Sequence, residues 1–175
     1  MNRIVVMGVS GCGKSTVGVL LADRLGVPFL DADSLHPPAN VAKMAAGVPL
    51  VDEDRWPWLR LVGSALADAP DGIVVACSAL RRSYRDLLRT AAPQARFVHL
   101  TGTRDQLAAR MRARDGHFMP VSLLDTQLAT LEPLGADEPG IALNCTFLPE
   151  DLATEAAAAF RHGARPLNRS GEPGQ

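Results

Sequence analysis

The chain has 175 residues, 47% of them hydrophobic and 21% charged, with a formal net charge of −1; this suits one α/β domain with a substantial core and gives no general reason to expect nucleic acid as a partner. Its longest apolar runs, Ile4 to Met7 and Ile73 to Cys77, fall far short of the roughly 20 residues that a membrane-crossing helix needs. Three widely spaced cysteines without a CxxC pair suggest neither a disulfide framework nor a zinc site, and with a strand-like run directly after Met1 they lead to the expectation of a reducing cytoplasm.

Arg3 to Met7 reads as the first strand, and Val17, Leu20, Leu21 and Leu25 then fall on one face of a helix that Gly26 should stop. Between them, Gly8-Val-Ser-Gly-Cys-Gly13-Lys14-Ser15 fits the pattern GxxxxGK[ST] in the context that gives the pattern meaning, after a strand and before a helix. Glycines let successive backbone N–H groups face a β-phosphate, and the helix N-terminus adds partial positive charge. The expected nucleotide contacts are therefore Gly8, Val9, Ser10, Gly11, Cys12, Gly13, Lys14, Ser15 and Thr16. Lys14 is expected to reach the β- and γ-phosphates of ATP, and Ser15 to place its hydroxyl on Mg²⁺. Cys12, set among these amides, is expected to be unusually acidic and to be shielded by bound ATP.

The second strand, Val27 to Leu30, leads into Asp31 and Asp33, whose spacing of two points both side chains toward the strand's C-terminal edge, where open α/β sheets bind ligands. Asp33 is assigned to accept the proton of an acceptor hydroxyl and Asp31 to the Mg²⁺ side; the plainer alternative is that one of them caps the next helix. Residues 35–71 hold two helical stretches where one crossover helix would suffice, and read as an inserted substrate-binding lobe. Arg55, in that segment, and Arg81, after the strand Ile73 to Cys77, each begin a helix in a ligand-facing loop, where a planar guanidinium suits a carboxylate, although lone arginines are usually solvated.

Helical faces at Leu80, Tyr84, Leu87 and Leu88, at Leu124, Leu128 and Leu131, and at Leu152, Ala156 and Phe160 alternate with the strands Arg96 to Leu100 and Ile141 to Phe147. This rhythm predicts a parallel sheet of about five strands covered by helices. Arg110, Arg112 and Arg114 occur in a helix ending at Asp115-Gly116, with Arg110 and Arg114 on one face, so residues 110–120 read as a lid hinged at Gly116. Gln127 and Thr130, on the next helix, receive no assignment. Residues 162–175, rich in Gly, Pro and polar residues, read as a flexible tail behind a single domain over 1–161.

Several further segments occur in order: Leu30-Asp31-Ala-Asp33-Ser-Leu-His36-Pro37, Asn40, Lys43-Met44, Gly47-Val-Pro49-Leu, Asp52-Glu-Asp54-Arg55-Trp-Pro57-Trp58-Leu59, Cys77-Ser78-Ala79-Leu80-Arg81, Tyr84-Arg85-Asp86 and Gly116-His117-Phe118. From Ile4 to about Glu138 the chain thus resembles the thermoresistant-type gluconate kinase family of P-loop kinases. The resemblance implies a nucleoside-monophosphate-kinase-like three-layer fold, Mg-ATP as donor, D-gluconate phosphorylated to 6-phospho-D-gluconate, and a homodimer. It adds His36, Lys43 and His117 to Asp33, Arg55 and Arg81 as substrate-binding residues. Likeness to nucleotide kinases implies that Arg110 and Arg114 bracket ATP, with Arg114 catalytic beside Lys14 and Asp33. The chain departs from the family at Cys12, where a small residue such as Ser is usual, and at Ile141-Ala-Leu-Asn-Cys-Thr, where an acidic residue is often found. Two other readings stand beside this one. A shikimate kinase would share the loop and the Asp-x-Asp strand end, but Leu35-His36-Pro37 and Asp54-Arg55-Trp-Pro57-Trp58 speak against it. A nucleotide-dependent regulatory module would turn ATP over slowly, if at all.

Overall fold

The computed structural model describes residues 1–113 and 121–161. In chain order these form β1 (Asn2–Met7), α1 (Lys14–Leu25), β2 (Phe29–Asp31), a 3-10 turn (Ala32–Leu35), α2 (Pro38–Ala45), α3 (Asp52–Asp68), β3 (Gly72–Ala76), α4 (Arg82–Ala91), β4 (Arg96–Thr101), α5 (Arg104–Arg112), α6 (Val121–Thr130), β5 (Gly140–Asn144) and α7 (Pro149–Arg161). The strands make one parallel sheet in the order β2-β3-β1-β4-β5. The expected α/β three-layer architecture is therefore present, with β1 in the centre.

Central position explains the apolar run at the start of the chain. Ile4 and Val6 face one core, Val5 and Met7 the other, because side chains alternate along a strand that is covered on both sides. The first core is closed by α1, α5, α6 and α7 through Val17, Leu21, Leu107, Leu124, Leu152 and Phe160. The second is closed by α3 and α4 through Leu59, Val62, Leu66, Tyr84 and Leu88. Each such side chain contributes roughly 1.5–3 kcal/mol by leaving water.

The segment 35–71 contains the two expected helices, and they differ in placement. Leu59, Val62 and Leu66 make α3 the crossover helix over β3, whereas α2 buries only Asn40 and leaves Val41 and Met44 exposed. Helix α1 ends as anticipated at Gly26, which takes φ 66° and donates its N–H to the carbonyls of Ala22 and Asp23. No helix among the described residues is long and apolar enough to cross a membrane.

Candidate active site

The turn between β1 and α1 is shaped for an anion. Gly8 and Gly11 take φ of 141° and 81°, and there is no room for side chains: a Cβ on Gly8 would lie 2.7 Å from the Leu100 carbonyl oxygen, and one on Gly11 would lie 2.6 Å from Met111 Cγ. No side chain caps the N-terminus of α1, so its first N–H groups stay available to a phosphate. Lys14 Nζ rests on the carbonyl oxygen of Val9 at 3.1 Å, folded back along the loop that it would serve. Ser15 Oγ donates to Asp31 Oδ2 at 2.9 Å. A hydroxyl and a carboxylate side by side at the end of a phosphate loop fit Mg²⁺, a hard cation that takes one or two protein oxygens and completes its shell with water and phosphate.

The expectation for Cys12 is overturned. Its side chain is 1% exposed within the first core, and burial pushes the thiol above its ordinary range despite the nearby Lys14 charge and backbone N–H groups. The loop amides do surround the residue, but packing seals it from the water that a thiolate needs.

Asp31 and Asp33 do not share a strand. β2 ends at Asp31, whose Oδ1 accepts from the Asp33 N–H at 3.1 Å, so this carboxylate caps the 3-10 turn while its other oxygen meets Ser15. Asp33 therefore stands on the turn, with its side chain 87% exposed and its Oδ1 3.9 Å from His36 Nε2. The period-two argument applies to strands, and the chain leaves the strand two residues too early for it. The cap occupies one oxygen of the Asp31 carboxylate and the Ser15 hydroxyl the other.

His36 is nearly buried, stacks on Trp58 at 4.2 Å and sits 3.3 Å from the Asn40 amide through Nδ1. Burial lowers its pKa, with Asp33 pulling upward and Arg55 reinforcing the fall, so at neutral pH it is an uncharged ring. Trp58 is itself anchored by an N–H bond to the Ala32 carbonyl at 2.7 Å. Lys43 bonds both oxygens of Asp54, at 2.7 and 2.8 Å, and Asp54 in turn accepts from the Val51 N–H at the start of α3. Lys43 thus ties α2 to α3.

Arg55 and Arg81 do converge. Both reach Asp52, at 3.4 and 3.2 Å, and both lie 5.9 Å from the centre of the Tyr84 ring, whose hydroxyl donates to Asp52 at 2.6 Å. The Tyr84 hydrogen bond, helped by the two guanidinium groups against partial desolvation, holds the Asp52 carboxyl below its usual range. Two cations and a phenol thus share one anion, and the sequence reading included neither Asp52 nor Tyr84 among the site residues.

The loop that carries Arg81 is held from behind. Ala79 takes φ 43°, a left-handed conformation rare outside glycine, at 1% exposure. Arg85 Nη1 donates to the carbonyls of Ala79 and Leu80 at 3.0 and 3.3 Å and to that of Glu132 at 3.0 Å, while Nε and Nη2 grip Glu138 at 2.6 and 2.9 Å. Burial pushes the Glu138 pKa up, but the Arg85 hydrogen bonds and the Gly135 N–H outweigh it and the net shift is downward.

Two links join the phosphate loop to this neighbourhood: the Gly8 N–H donates to the Ser78 carbonyl at 3.3 Å, and the Ser10 N–H donates to Gln127 Oε1 at 2.7 Å. Arg110 lies on the loop's other side, donating to the carbonyls of Gly11 and Cys145 at 3.3 and 2.8 Å. Arg114, Gly116 and His117, with most of the lid expected at 110–120, and the tail at 162–175 lie outside the described residues.

Comparison with known proteins gives the family. The shikimate kinase family model matches residues 10–130. A gluconokinase of Gluconobacter oxydans (strain 621H) is 50% identical over 161 residues, covering 90% of each chain. The crystal structure of a gluconokinase from Sinorhizobium meliloti 1021 superposes with a TM-score of 0.86 at 49% identity over 93% of each chain. A shikimate kinase from Bacteroides thetaiotaomicron, at 18% identity and a TM-score of 0.67 over 91% of this chain and 98% of its own, shares the fold alone. A phosphate loop, a neighbouring serine–aspartate pair and a two-arginine anion pocket, on a chain half identical to gluconokinases along nearly its whole length, lead to one assignment: the chain belongs to the gluconokinase family of P-loop kinases.

Proposed function

We propose that the protein transfers the γ-phosphoryl group of ATP to the 6-hydroxyl of D-gluconate, giving 6-phospho-D-gluconate and ADP. The observation that carries this reading is that the phosphate loop is hydrogen-bonded to both segments bearing the acceptor residues, through Ser15 to Asp31 and through Gly8 to Ser78. Donor and acceptor are thereby brought to one sheet edge, as in open α/β sheets generally.

Gluconate carries a carboxylate at one end and a primary hydroxyl at the other. Arg55, Arg81 and the Tyr84 hydroxyl suit the carboxylate, a reading supported by the carboxylate of Asp52 that they already hold. Asp33, exposed and committed to no strong partner among the described residues, suits the hydroxyl. In transfer the 6-oxygen forms a bond to the γ-phosphorus, the bond from that phosphorus to the β,γ-bridging oxygen breaks, ADP departs with the electron pair, and Asp33 accepts the hydroxyl proton. Lys14 leaves the Val9 carbonyl to offset charge on the phosphoryl oxygens. Ser15 and Asp31 are the residues that would hold Mg²⁺, which would supply charge neutralisation for the phosphoryl group. His36 shapes the pocket wall through its stack on Trp58, Lys43 braces α2, and Arg110 secures the nucleotide side of the loop. Arg114 and His117 are assigned in this reading, from the family resemblance, to the nucleotide and to gluconate. Three buried free thiols fit a reducing cytosol.

The test is a substrate panel. With Mg-ATP and, in turn, gluconate, shikimate, glycerate, glucose and nucleoside monophosphates, only gluconate is expected to drive rapid ADP formation. Equal or faster turnover with shikimate or a nucleoside monophosphate would overturn the assignment.

A further inference from the structure

We infer that Gln127 is a positioning residue for the transferring end of the phosphate loop, holding Ser10 so that its hydroxyl proton faces the γ-phosphoryl group. The inference rests on the phosphoryl-transfer reading above. A single carboxamide grips Ser10 twice: Oε1 accepts from the Ser10 N–H at 2.7 Å, and Nε2 donates to Ser10 Oγ at 3.0 Å, across 117 residues of sequence. One planar group thus fixes both the backbone and the side chain of the same residue.

The chemistry of the pair is specific to an amide. A serine hydroxyl has one proton to give and two lone pairs to receive with. Because Gln127 fills a lone pair of Oγ, the Ser10 proton stays unspent, and among the described residues no acceptor takes it. A carboxylate in place of the amide would accept that proton, and an ammonium could not accept the Ser10 N–H. Only a group that accepts and donates side by side leaves Ser10 as an outward donor.

Location says which phosphate that donor serves. Lys14 Nζ parks on the carbonyl of Val9, the residue before Ser10, and Gly8 bonds Ser78 in the loop carrying Arg81. Ser10 thus follows directly on the two loop residues that bond the loop's cation and the loop carrying Arg81, while Gly11 to Ser15 lead to the helix start, which suits the inner phosphates.

The clamp also has a rigid base. Leu124, one turn before Gln127, is fully buried in the first core. Arg104 pins Asp125 of α6 with two bonds of 2.6 and 2.9 Å, and just past α6 the Glu132 N–H donates to the Leu80 carbonyl at 2.8 Å. A loop with three left-handed glycines has little stiffness of its own, and this helix supplies it.

The experiment measures ATP and ADP affinity by calorimetry without gluconate for wild type, Ser10→Ala, Gln127→Ala, Gln127→Glu and the Ser10→Ala/Gln127→Ala double variant, with thermal midpoints alongside. ATP affinity is expected to fall about tenfold or more in each variant, most in Gln127→Glu, with ADP affinity within about threefold of wild type, since ADP lacks the phosphate concerned. The double variant should lose no more than the worse single, because the two residues act as one unit. Equal losses for ATP and ADP, additive losses in the double variant, or unchanged ATP affinity in Gln127→Glu would each overturn the inference. If Gln127→Ala does not fold, Ser10→Ala and Gln127→Glu decide by the same ATP-to-ADP ratio. Wild type binding ATP but transferring nothing to gluconate would refute the substrate assignment and leave this result standing.

Discussion

In the proposed mechanism, transfer depends most directly on Lys14 and Asp33, and neither is needed for the core. Among the described residues Lys14 bonds only a loop carbonyl through its side chain, so Lys14→Ala should leave the melting temperature near wild type while lowering kcat by at least roughly a hundredfold, as expected when a cation aimed at developing charge is removed. Asp33→Asn keeps shape and loses the proton acceptor: kcat should collapse while calorimetric ATP binding stays intact, and an unchanged kcat would remove Asp33 from the mechanism. Cys12 behaves in the opposite sense to its local sequence. With Cys12, Cys77 and Cys145 all buried, and burial pushing Cys77 up to about 12, a thiol reagent should modify none of them in the native protein at the rate seen after unfolding. The loop's conformation was legible because glycine spacing dictates backbone geometry directly. The state of Cys12 was not, because it depends on core packing contributed by residues almost a hundred positions away, such as Leu100 and Met111.

At the level of elements, the buried Arg85–Glu138 pair has the largest consequence. Arg85 sits within α4, where the periodicity of Leu80, Tyr84, Leu87 and Leu88 announces a helix but says nothing of a guanidinium fully buried beside them. Its partner is 53 residues away, in the connection between α6 and β5, so the pair is invisible to any local pattern. Arg85→Ala should cost about 3–5 kcal/mol in denaturant unfolding by leaving Glu138 buried and unpaired. It should also raise KM for gluconate, because the left-handed Ala79 and the Arg81 that follows lose the donor behind them. An Arg85→Met/Glu138→Leu double variant should recover most of the stability but not the KM, since an apolar pair fills the space without bonding the Ala79 and Leu80 carbonyls. The strands and the stop of α1 were readable from alternation and from Gly26. The 3-10 turn that carries Asp33 was not, since nothing local announces that Asp31 turns its carboxylate back onto its own backbone.

Across the whole molecule, the response to acid follows from two histidines held neutral. His99, on β4, is 2% exposed; burial and the nearby Arg85 charge, opposed by Glu138, bring its pKa from 6.5 to about 4, and burial lowers that of His36. Between those values the unfolded chain takes up a proton that the native one refuses, so stability is complete above about pH 6.5 and falls as pH drops toward 4. For His99 alone the loss approaches roughly 3 kcal/mol. Urea midpoints at pH 7, 5.5 and 4 should show this slope, and His99→Leu should flatten it; an equal slope in that variant would assign the effect elsewhere.

The sheet also divides the packing behind the candidate site. Val9 and Cys12 belong to the core closed by α1 and α7, whereas Ala32, Trp58, Ala79 and Tyr84 belong to the core closed by α3 and α4. In the proposed function the residues assigned to ATP and to gluconate are thus backed by opposite faces of the sheet, and each backing can be loosened without the other. A cavity cut by Val17→Ala should register as a weaker grip on nucleotide, and one cut by Leu88→Ala as a weaker grip on the acid, so that kinetics on a panel of interior substitutions would map which side of the sheet each residue supports.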